Sequence, residues 1–111
     1  GGALTVTTNA TISGNATITG NLTVNGTTTT VATTNTTITD NLLELNSGAG
    51  SNANDCGILI ERGSTGDNAI IAWDESADTW ILGTTTATAS DTGNLTIAGA
   101  TVSLVILLVI L

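Results

Sequence analysis

One short phrase dominates the first third of the chain. Residues 9 to 26 read "NATISGNATITGNLTVNG", six residues spoken three times. Asn9, Asn15 and Asn21 open successive units, and Gly14, Gly20 and Gly26 close them. Ala10, Ala16 and Leu22 stand two residues before Ile12, Ile18 and Val24. That spacing puts both apolar positions on one face of a strand, with Thr11, Thr17 and Thr23 on the other. Branched Thr, Ile and Val favour extended backbone, whereas Gly and Asn permit a bend. Leu4 and Val6 fit the same register with Thr8 in the glycine place. Further on, Thr27 to Ala32 blurs it, and Asn35, Ile38 and Asp40 resume two residues out of step. The unit is a very short strand plus a corner.

Such a unit cannot hold itself. Fixing each residue costs roughly 1–2 kcal/mol of backbone entropy, and a buried Ile returns only about 1.5–3 kcal/mol. Six ordered residues with one Ile and one Ala need burial and ladder hydrogen bonds from neighbours. A left-handed β-helix of hexads would supply them within one chain, and the aliphatic-then-small spacing resembles its pattern. It needs about 18 residues per coil and roughly three repeats, and the clean run is too short for that. The other solution winds several copies around a common axis, three being the expected number.

Composition narrows the partners. Threonine fills 25 of 111 positions, and Pro, Met, Phe, Tyr and His are absent. Arg62 is the single basic residue against nine carboxylates, for a net charge of -8. Phosphate binding needs clustered Lys and Arg, so nucleic acid is excluded as a partner, and anionic membrane surfaces are disfavoured. One cysteine, Cys56, cannot form an internal disulfide. With Gly1-Gly2 at its start and no methionine, the sequence reads as a piece of a longer or processed product.

The middle reads differently. "GILIE" (Gly57 to Glu61), "AIIAWDE" and "WILGTT" predict three strands, joined by turns at "RGSTGDN" and "SADT". Trp73 and Trp80 flank the second turn, close enough to pack across the hairpin. A sheet of about 30 residues is too small to bury a core alone. It too asks for other copies against its apolar face. "NLTIAG" (Asn94 to Gly99) then restates the earlier phrase.

These residues carry a resemblance. Hexads such as "NATISGNATITGNLTVNGTTTT" resemble the shaft segments of bacteriophage tail fibres, particularly those of marine and cyanobacterial phages. "DNLLELNSGAGSN", with "CGILIERGSTGDNAIIAWDESADTWILGTTTA", is similar to a small β-rich module that recurs along such fibres. The resemblance covers residues 3 to about 103, and the second run is the more specific. It implies a homotrimeric, extended virion protein at the tail or baseplate. It names no receptor and assigns no catalytic residue.

The side chains that tempt a chemical reading have plainer explanations. Asn-x-Thr sequons stand at Asn9, Asn15, Asn21, Asn25, Asn35 and Asn94. They are potential glycan acceptors, but they also follow from Asn at a corner and Thr two places on. Asp74, Glu75 and Asp78 cluster at one turn, in a spacing that fits no calcium-loop signature. Glycoside hydrolysis by them would need a cleft, which a thin shaft with small modules scarcely offers. Without histidine no Ser/His or Cys/His arrangement is possible. The Trp pair could stack on sugars but fits a core better, and Cys56 reads as a small, partly buried side chain. No catalytic, cofactor or metal residue is assigned.

The end of the chain, "LVILLVIL" (residues 104–111), is apolar throughout and too short to cross a bilayer as a helix, which takes about 20 residues. A shaft would continue with polar hexads. The tail reads as the core of a following domain, as a strand donated to the next subunit of a polymer, or as a stretch of poorly determined residue identity.

The expected architecture is all-β: an elongated, intertwined homotrimeric shaft of hexad repeats interrupted by a three-stranded meander. Its parts are a hexad stem at 1–40, a small β-rich module at 41–92, a resumed stem at 93–103 and the apolar tail at 104–111. The expected function is structural and non-enzymatic: a rigid spacer in a virion tail fibre, serving host attachment without cofactors or membrane insertion. Its partners would be copies of itself, other tail or baseplate proteins, and a host surface glycan or protein. The competing reading is a subunit of a cellular extracellular filament or adhesin that assembles by strand donation.

Overall fold

The computed structural model describes residues 1–102, and the apolar tail at 104–111 lies outside the described residues. The chain divides into two units, Gly1–Ile38 and Thr39–Leu111. The described secondary structure is entirely β, with no helix among the described residues.

Gly1–Ile38 contains no paired strand. It bends at Thr7–Thr8, Ser13–Gly14, Thr19–Gly20 and Gly26–Thr27, the corner positions that the hexads mark. The next bend comes at Thr34, just before Asn35 resumes the phrase. Every residue of the unit is exposed, including Leu4, Ile12, Ile18, Leu22, Val24 and Val31. No backbone hydrogen bond links any two described residues within it. The corners form where the sequence puts them, and nothing inside the unit covers the segments between.

The second unit is built on one antiparallel sheet of four strands in chain order. These are β1 (Cys56–Ile60), β2 (Asn68–Asp74), β3 (Thr79–Thr85) and β4 (Ala98–Val102). The first three lie where branched apolar residues predict them. The fourth is an addition to the expected three-strand meander, drawn from the segment read as resumed stem. Its pairing with β3 rests on a glycine contact, Gly83 opposite Gly99. A Cβ on Gly99 would sit 2.1 Å from the Leu82 carbonyl oxygen, and one on Gly83 2.3 Å from that of Ala98. Gly99 therefore serves as a point of close backbone approach within a strand rather than as a corner.

Register fixes the two faces. On one, Cys56, Trp73 and Trp80 form a row across β1, β2 and β3, followed by Ile58, Ile71 and Leu82, then Ile60, Ala69 and Thr84. On the other stand Gly57, Ala72 and Ile81, then Leu59, Ile70 and Gly83. The second face holds what core there is: Ala72 is fully buried, Ile70 is 5% exposed, and Thr85 beyond them 2%. The connection between β3 and β4 provides the cover. Its Ala87 and Leu95 enclose a hollow of about 150 Å³ together with Leu59 and Ile70. Among the described residues, Leu43 and Leu45 are what stands against part of the first face.

Candidate functional site

The carboxylates of the second turn are engaged in holding the fold. Asp74 accepts hydrogen bonds from the Ser76 hydroxyl at 2.7 Å and the Ala77 amide at 3.1 Å. These bonds, the Ser76 hydroxyl foremost, hold its carboxyl below the ordinary value of 3.8. Asp78 takes a left-handed backbone, φ 54°, which lets the chain re-enter β3. Glu75 accepts from the Trp73 indole nitrogen and from the Asn52 amide, each at 3.0 Å. Among the described residues no group of three or more His, Cys, Asp or Glu could hold a metal ion. The turn contains the three acids the sequence marks; among the described residues, Asp74 and Glu75 bond to other side chains and Asp78 does not.

A fourth acid, which sequence reasoning passed over, is more central. Asp55 is 9% exposed and joins three segments. Its carboxylate accepts from the Glu75 amide at 2.9 Å and from the Leu95 amide at 2.8 Å. Its own amide donates to the Gly93 carbonyl at 2.9 Å, and the neighbouring Asn54 side chain accepts from the Gly93 amide at the same distance. The knot fastens the entry to β1, the β2–β3 turn and the β3–β4 connection. Its one local sign is a polar pair, Asn54-Asp55, set directly before an apolar strand.

The β3–β4 connection carries its own internal bonds. Thr85 donates to the Thr96 carbonyl at 2.8 Å and accepts from the Ala87 amide at 3.1 Å. Asp91 accepts from the Thr88 amide and hydroxyl, which lower its carboxyl below 3.8 as well. Among the described residues, every buried side-chain nitrogen or oxygen has a partner.

The tryptophans stand directly opposite each other in register, centroids 5.5 Å apart and rings at 77°, an edge-to-face pair. They meet across the hairpin as expected, yet not in a core: Trp73 is half-buried and Trp80 is 53% exposed. Leu43 and Leu45 stand beside them and close, with Cys56, Ile58 and Ile71, an apolar cavity of about 250 Å³. The Cys56 thiol is free, half-buried, and 3.5 Å from the Asn54 carbonyl oxygen. The sequon asparagines are all exposed.

What the arrangement leaves uncommitted is apolar surface. Asp55, Asp74, Glu75 and Asp91 are engaged in turns and in the Asp55 knot, while Ile58, Ile71, Trp80 and Leu82 are about half exposed. Comparison of the chain with protein-family models, with curated proteins and with solved structures finds no match.

Proposed function

We propose that this chain is a segment of a bacteriophage tail fibre, a structural virion protein that acts as a rigid spacer for host attachment. It works as an intertwined homotrimer. One observation carries the reading: in Gly1–Ile38 corners recur at hexad spacing while every apolar side chain is exposed and, among the described residues, no backbone group has a backbone partner. Backbone N–H and C=O groups are obligatory hydrogen-bonding groups. A repeating strand-and-corner chain meets that demand when copies of it pair along a shared axis.

Ladders closed between chains would give stiffness and deny a protease the loose backbone it needs. The charge of -8 would limit unspecific adhesion. Tail or baseplate proteins would receive the fibre at one end, and host surface glycan or protein would be met beyond the other.

Sedimentation equilibrium of the full chain tests this directly. The expected mass is that of three chains, with Gly1–Ile38 resisting a protease of broad specificity, since the segment lacks Lys and Arg. A monomer cut freely throughout that segment would end the proposal.

A further inference from the structure

We propose that Asn25 is a site of spontaneous self-modification, at which the side-chain amide is lost by ring closure onto the Gly26 nitrogen. This chemistry needs no second copy and no partner, so it lies beyond the fibre reading and concerns the covalent lifetime of the stem.

The third hexad differs from the two before it at one telling position. Ser13 and Thr19 precede Gly14 and Gly20, whereas Asn25 precedes Gly26. A hydroxyl in that place has no route to a cyclic imide, and a carboxamide has. Asparagine is among the thermolabile residues, and Asn25-Gly26 is the one Asn-Gly pair in the sequence. The attacking atom is the amide nitrogen of the next residue, and glycine has no Cβ to crowd it or to stiffen the backbone. Asn9 and Asn15 are followed by Ala, Asn21, Asn41 and Asn94 by Leu, and Asn35 by branched Thr.

The structure widens the difference. Asn25 and Gly26 are exposed, and the chain bends at Gly26–Thr27 with no backbone hydrogen bond across it among the described residues. Space around the bend is open: beyond its chain neighbours, a Cβ placed on Gly26 would come no nearer than 3.8 Å to a heavy atom, the Thr28 carbonyl oxygen. The asparagines of the module are held instead. Asn52 donates to Glu75 at 3.0 Å, Asn68 donates to the Ala87 carbonyl at 3.1 Å, and Asn54 accepts from the Gly93 amide at 2.9 Å. Asn46, followed by Ser47, sits in a left-handed turn where its carbonyl accepts from the Ala49 amide. Ring closure therefore meets least resistance at Asn25.

Hydroxide takes the proton of the Gly26 amide, and the nitrogen forms a bond to Asn25 Cγ. The Cγ–Nδ2 bond breaks, and the departing nitrogen takes a proton from water and leaves as ammonia. Water then opens the succinimide at either carbonyl. Opening at Cγ gives aspartate. Opening at the main-chain carbonyl gives an isoaspartyl link, whose main chain runs through Cβ and Cγ and is one carbon longer. In sum one water enters and one ammonia leaves. Either product adds one negative charge to the -8 already present, and the isoaspartyl form sets the following segment out of step with the hexads before it.

Incubation of the full chain in mildly alkaline buffer tests this, followed by unfolding, digestion with a protease of broad specificity and peptide mapping by mass. Isoaspartate is counted by methyl transfer from an isoaspartyl methyltransferase. Conversion at Asn25 is expected to run several-fold faster than at any other asparagine, to rise with hydroxide concentration and to yield methyl-accepting isoaspartate at that position. Gly26→Ala, for which the bend has room, should slow it several-fold. Conversion at Asn46 or another asparagine that matched Asn25 would overturn the inference, as would a Gly26→Ala rate equal to that of the wild type. Either result leaves the fibre reading standing, because that reading is judged by the mass in sedimentation.

Discussion

At the scale of single residues, Asp55 joins three separate segments of the module. Its two carboxylate bonds reach backbone amides 20 and 40 residues away, so it acts as a tie between segments. Removing it strands two part-buried amides and loses charge-assisted bonds. Asp55→Ala is expected to cost about 2–3 kcal/mol, read as a lowered midpoint in urea. Asp74 and Asp91 act locally. Their carboxyls are held below 3.8 in the folded chain, so their support is complete above that value and is lost as pH falls through the lowered values. The midpoint of thermal unfolding is expected to fall as the solution is acidified below about pH 4. In the double variant Asp74→Asn, Asp91→Asn, that dependence should flatten.

At the scale of elements, the decisive contact is the one between β3 and β4. Because a Cβ on Gly99 would overlap the Leu82 carbonyl, Gly99→Val is expected to detach β4. The amides that β3 shares with β4 should then exchange with solvent, while those between β1 and β2 stay protected. The first three strands were legible in the sequence, since "GILI", "AIIAW" and "WILG" are branched apolar runs between turn residues. The Trp73–Trp80 contact followed from their positions around one turn. β4 was hidden by a resemblance: "NLTIAG" repeats the stem phrase, so Gly99 read as a corner when it is a place where two backbones nearly touch. The Asp55 knot left only a polar pair in the local pattern, because its partners lie far along the chain and are backbone groups that any residue could supply. The corners of the stem were readable because glycine repeats there, but what covers the strands between them is not a local property at all.

At the scale of the whole molecule, charge and apolar surface pull in opposite directions. In the assembly proposed above, copies each carrying -8 would repel one another, while exposed Ile, Leu, Val and Trp would favour burial between them. Raising the ionic strength shortens the reach of the repulsion to about 8–10 Å or less and leaves the apolar attraction in place. The proposed assembly is therefore expected to tighten with added sodium chloride, seen as a lower dissociation constant in sedimentation. An assembly held by pairing with a basic partner would loosen instead. The hexad corners also set a rule for how the reach of such a molecule can change. Excising Asn15–Gly20 joins Gly14 to Asn21 and leaves each later side chain facing the way it did, whereas excising an odd number turns the greasy edge outward from there on. In the spacer proposed above, copying or dropping one six-residue link would change the length while keeping every later side chain on its face and every later corner in its place.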